Sequence, residues 1–207
     1  VVLAIDERHG GSIMTRASQT LHITTADIKN GIYIGPVDVA AYEGHIEIAE
    51  NLGEIFFSTL RATGHIYATA GSGIRAGEDI RAGEDLHTGD GITGRHIVAG
   101  EHIIAKYIIA WGYIVAGGSL HVDDGICADE SIVAGRSINA GRSIDAGLRI
   151  SAGLAITCGL VLSAKIIHAG YLQWGTPSKI ICQRLSGGTR IASGILIETE
   201  WQGEVSQ

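Results

Sequence analysis

Residues 132–158 read IVAGRS INAGRS IDAGLR ISAGLA ITC, four full copies of a six-residue unit and the start of a fifth. In each copy an aliphatic residue is followed two positions later by a small one, and then by glycine. The aliphatic series is Ile132, Ile138, Ile144, Ile150 and Ile156, and the small series is Ala134, Ala140, Ala146, Ala152 and Cys158. Side chains two apart in a strand point to the same face. The aliphatic and the small residue therefore share one face, and the residue between them points the other way. A helix does not fit, because a period of six places no continuous stripe on a 3.6-residue turn. The glycines would also cost a helix about 1 kcal/mol each.

The unit extends in both directions. From Ile74 to Ile167 an Ile or Leu recurs at 16 successive steps, of which 13 are six residues long and three are five. The regular block thus spans residues 74–169. Three units make one triangular coil of roughly 18 residues, and stacked coils pair as parallel strands about 4.8 Å apart. The expected fold is all-β, a single-stranded parallel β-helix whose aliphatic residues form ladders along the axis. Looser units, such as Ile46/Ile48, Ile55/Phe57 and Leu60/Ala62, extend the solenoid to residues 46–197. In its last part Ile181, Leu185, Ile191, Ile195 and Ile197 are expected to continue the aliphatic ladder. A turn at Thr176–Pro177 is expected to close the regular block. Residues 1–45 read as a cap or as irregular coils, and 198–207 as a tail.

The repeated aliphatic and small positions resemble the hexapeptide-repeat β-helices, in which the order is usually small–x–aliphatic rather than aliphatic–x–small. The stretch IRAGEDIRAGED at 74–85 is similar in composition to the bactofilins, bacterial β-helices that polymerise. The first resemblance implies an acyltransferase, and the second a self-assembling scaffold.

Composition narrows the function. The formal charge is −7, which disfavours nucleic acid and anionic membrane as partners. No apolar run approaches the roughly 20 residues of a membrane span. Three scattered cysteines fit a reducing compartment, so a cytoplasmic location is expected. No secretory pattern opens the chain at Val1, and a removed leader stays open. No P-loop, dinucleotide fingerprint or calcium-binding nonapeptide repeat is present. No catalytic residue, cofactor or metal site is expected. His87 and His121 fall on one face, two coils apart. His96 and His102 occupy neighbouring corners.

Two surfaces stand out. Val98, Val115 and Val133 stack outward on one face, and Ile104 and Ile109 point outward on the other two. They read either as strand formers or as an interface. Glu78, Asp79, Glu84, Asp85 and Asp90 form acidic corners that read as solvated, with Glu78, Glu84 and Asp85 as candidates for docking a basic partner. The expectation is a non-enzymatic solenoid that binds a protein partner or self-assembles, as a homo-oligomer or a hetero-complex. The alternatives are a toxin-neutralising immunity-type protein, a hexapeptide-type acyltransferase or a carbohydrate-active β-helix.

Overall fold

A computed structural model describes residues 19–170 and 178–199, which form a parallel β-solenoid of about eight turns with coils about 18 residues apart. From residue 53 on every third strand joins the same sheet, and the described residues form two sheets of ten strands and one of eight. In the first sheet Leu86, Ile103, Leu120, Ile138 and Ile156 stand in register. In the second, Ile74, Ile92, Ile108, Ile126, Ile144 and Leu162 do the same. In the third, Ile80, Ile97, Ile114, Ile132, Ile150 and Ile167 follow. All of these side chains are buried, as are the small residues two positions on. The core is thus three aliphatic ladders and three small-residue ladders meeting on one axis. Each coil buries its inward face only against its neighbours.

Glycine serves this stacking in a way the sequence did not reveal. Left-handed glycines occur at Gly31, Gly44, Gly53, Gly71, Gly170, Gly188 and Gly194, and none of these lies between residues 74 and 169. At most glycines inside the regular block the reason is close approach. A Cβ on Gly117 would overlap the carbonyl oxygen of Gly100, and one on Gly135 would overlap that of Gly117.

Coil pairing begins before residue 46. Thr20–Ile23 pairs in parallel with His45–Ile48, and Ile28–Lys29 forms an antiparallel hairpin with Ile32–Tyr33 at the edge of the second sheet. Tyr33 packs on Phe57 at 5.5 Å. Thr176–Pro177 lies outside the described residues.

The expected register near the end needs correction. In Lys179–Cys182 the inward residues are Ile180 and Cys182, and Ile181 lies opposite Thr157 on the outer face. In Ile195–Glu198, Leu196 takes the inner place opposite Ile180, while Ile195 and Ile197 are exposed. The segments KIIC and ILIE offer aliphatic residues of both parities, so the pattern alone does not choose between the two faces. Pairing with the preceding coil does.

Candidate functional site

The outward side chains form ladders as regular as the inward ones. Val98, Val115 and Val133 occupy consecutive rungs of the third sheet, each half-buried. Ile104 lies on the first sheet, 39% exposed, and Ile109 on the second, 42% exposed. The five residues therefore do not make one patch on one face. Three of them, Ile104, Ile109 and Val115, belong to a single coil. Trp111, on the corner between Ile109 and Val115, is 46% exposed. That coil carries an apolar residue on every face, so the apolar surface is a belt around the rod.

The acidic corners are engaged within the chain. The Glu78 carboxylate meets the Arg95 guanidinium at 2.8 Å. The Asp85 carboxylate accepts the His102 backbone N–H at 2.9 Å. Glu84 faces the rings of His45 and His65 at 3.7 and 3.9 Å.

Asp79 corrects the expectation of solvated acidic corners, since it is only 3% exposed. Arg61 and Arg81 stand opposite one another in the third sheet, and both donate to Asp79 Oδ2, at 3.0 and 3.1 Å. Arg95, one coil on, donates to Oδ1 from Nη2 at 3.3 Å. Two stacked guanidinium groups would repel, and the buried carboxylate neutralises them. Burial alone would raise the Asp79 pKa. Hydrogen bonds and charge from Arg95, Arg81 and Arg61 more than reverse this and hold the carboxyl below its ordinary value.

Several histidines serve the corners. His45 Nδ1 accepts the backbone N–H of His65 at 3.0 Å, His96 Nδ1 that of Tyr113 at 3.3 Å, and His102 Nδ1 that of Ser119 at 3.0 Å. In each case the partner lies one coil further on. Gly64, Gly112 and Gly118 lie over these rings, where a Cβ would collide with the imidazole. His96 also stacks on Tyr113, with centroids 4.0 Å apart. His96 and His102 thus have a structural explanation. His87 and His121 flank Ile104 on the first sheet, two coils apart as read from the sequence.

No protein-family model, curated protein or solved structure matches the chain.

Sequence reasoning missed two arrangements on the first sheet and its leading corner. One is a shallow groove of about 290 Å³ lined by His65, Ile66, Tyr67, Asp85, Leu86, His87, His102 and Ile104. Tyr67 meets the His87 ring edge-on at 4.7 Å. Burial pulls the pKa of His87 down, and nearby Asp85 opposes this only in part. The other is the pair His45 and His65, whose rings stack at 4.1 Å beside Glu84. The available signal was the tripeptide Gly-His-Ile, found at 44–46 and again at 64–66, one coil apart. Among the described residues no buried side-chain nitrogen or oxygen lacks a hydrogen-bond partner, so no buried polar atom is left to a ligand. No helix among them is long and apolar enough to cross a membrane.

The thiols offer no reactive centre. Cys158 and Cys182 face inward and are buried, and Cys127 is exposed. Burial, with a smaller contribution from Cys182, pushes the Cys158 thiol up to about 12. Burial and then Asp145 and Asp129 raise that of Cys127. Because the thiolate is the nucleophile, a raised value means slow reaction at neutral pH. Iodoacetamide treatment of the native protein should modify Cys127 alone, with Cys158 and Cys182 reacting only after denaturation. Peptide mass mapping before and after unfolding checks this, and native labelling of Cys158 would contradict the inward register.

Proposed function

We propose that this chain is a non-enzymatic rod that binds protein through its flat outer faces. The observation that carries the reading is the apolar belt of the coil holding Ile104, Ile109, Trp111 and Val115, continued on the third sheet by Val98 and Val133. Exposed aromatic and aliphatic groups set among polar rungs are the composition of a protein-contact surface. The acidic corner residues Glu78, Glu84 and Asp85 already face groups of this chain, which favours the belt over charge as the contact. The likeness to bactofilins supports self-assembly as one form of this function.

Light scattering on a size-exclusion column, over a tenfold concentration range, tests it with the native chain and with Trp111→Ala/Ile109→Lys. Self-assembly through the belt predicts growth with concentration that the double variant abolishes. A sharp monomer or dimer moves the partner to a different protein, as in the immunity-type reading. Growth that the variant leaves unchanged removes the belt from the contact. A sharp trimer favours the hexapeptide-type transferase.

A carbohydrate-active enzyme is the second reading, favoured by the groove in which Asp85, His87 and Tyr67 meet. It is weakened by the engagement of the Asp85 carboxylate with a backbone N–H.

A further inference from the structure

We infer that the leading corner of the first sheet is a divalent transition-metal site of zinc type, with His45, His65 and Glu84 as ligands. The inference is independent of the apolar belt.

Among the described residues this is the group of three whose donor atoms converge, all within 4.8 Å of one another. Glu84 Oε2 lies 3.7 Å from His45 Nδ1 and 3.9 Å from His65 Nδ1. Donor atoms of tetrahedral zinc, at bond lengths of 2.0–2.2 Å, lie about 3.4 Å apart. The two distances to Glu84 need to contract by only a few tenths of an ångström. The Glu84 side chain is more than half exposed, so it can make that adjustment without disturbing the core.

The outer surroundings support the same assignment. The second ring nitrogen of His65, Nε2, faces Glu47 Oε1 at 3.8 Å, and Glu47 Oε2 is in turn 3.2 Å from His22 Nδ1. At 3.8 Å the contact to His65 is longer than a hydrogen bond, and a small turn of the partly exposed Glu47 side chain closes it; a carboxylate bonded to the distal nitrogen of a ligating histidine sets its tautomer. Glu47 and Glu84 together supply two negative charges, which match a divalent cation. Imidazole with one carboxylate is a donor set suited to zinc and its neighbours rather than to calcium or magnesium.

The metal competes with interactions that His45 already makes, among them the hydrogen bond from the His65 backbone N–H to its Nδ1 and the 4.1 Å stack on His65, so one imidazole turns out of the stack to aim its ring-plane lone pair at the ion. This corner is partly exposed, and water can take over that N–H. The other two corner histidines act as internal controls. His96 and His102 accept the same type of bond, but the following coil offers Tyr113 and Ser119 in place of a second histidine. The metal site therefore exists only where histidine recurs in the next coil with a carboxylate in reach.

The test is titration of the whole chain with Zn²⁺ at neutral pH against a fluorescent zinc indicator, with circular dichroism confirming the fold of each variant. One Zn²⁺ per chain is expected, with a Kd tighter than about 10 µM. His65→Ala and Glu84→Gln should each weaken binding by at least roughly tenfold, while His96→Ala leaves it unchanged. Glu84→Gln keeps the shape of an exposed side chain and so separates ligation from folding. Co²⁺ in place of Zn²⁺ should give the visible absorption of a four-coordinate ion, lost in the same two variants. Absence of one-to-one binding in the native chain overturns the assignment. So does an affinity that neither variant changes, or a loss that follows His96→Ala instead.

Discussion

Gly117→Ala should lower the thermal midpoint by roughly 6–12 °C, the equivalent of about 3 kcal/mol in a chain of this size. The corner between the third and first sheets carries Gly83, Gly100, Gly117 and Gly135 in successive coils. At each, the position of a Cβ is already occupied by a backbone carbonyl of the preceding coil. A long side chain could rotate away from the added methyl group, but a carbonyl cannot move without its coil. The strain therefore spreads into the pairing of Ile114–Ala116 with Ile97–Ala99 and Ile132–Ala134. Gly187→Ala is the matched control. Nothing lies within 4 Å of its Cβ position and its φ is not positive, so the change should stay within about 0.5 kcal/mol. Thermal melts followed by far-ultraviolet circular dichroism check both. Equal effects at the two positions would contradict close stacking as the reason for the corner glycines.

Asp79→Asn should cost roughly 2–3 kcal/mol at pH 7. Removing one member of a buried ion pair typically costs about 3–5 kcal/mol, and the half-exposed arginine head groups are screened enough to reduce that figure. The loss is larger than that of a surface pair because one carboxylate serves three guanidinium groups, two of them stacked on adjacent rungs. Its pH dependence follows from the depressed pKa of Asp79. Above the ordinary aspartate value of 3.8 the carboxylate is ionised in both the folded and the unfolded chain, and its full stabilisation is present. As pH falls through the lower folded value the folded chain takes up the proton, and the stabilisation disappears. The native protein and Asp79→Asn should thus differ most near neutrality and converge in strong acid. Urea midpoints measured from pH 7 down to pH 2 would show this. A difference constant over that range would mean that the arginines do not depend on the Asp79 charge.

The solenoid was legible because two local signals agree. The six-residue period places Ile138, Ile144 and Ile150 on successive sides of a coil, and strand parity puts Ala140, Ala146 and Ala152 beside them on the inside. That the valine ladder shares one face also followed from counting alone, since Val98, Val115 and Val133 lie one coil apart. Ile181, Ile195 and Ile197 were misplaced where parity carried no information, in segments with aliphatic residues on both faces. Asp79 was misread for a different reason. Its sequence neighbours resemble those of Asp85, and its burial depends on Arg61, Arg81 and Arg95, contributed by three successive coils.

The sequence by itself determined the strand content, the coil length and the inward ladders, because these depend on spacing along the chain and on the two-residue alternation of a strand. The tertiary structure decided what meets between coils: the carbonyl beneath each corner glycine, the arginines around Asp79, the belt around Trp111, and the approach of Glu84 to His45 and His65. Those contacts run along the solenoid axis, between residues about one coil apart. Coil lengths vary with each corner, so the axial neighbour of a side chain is set only once every corner between them has taken its shape.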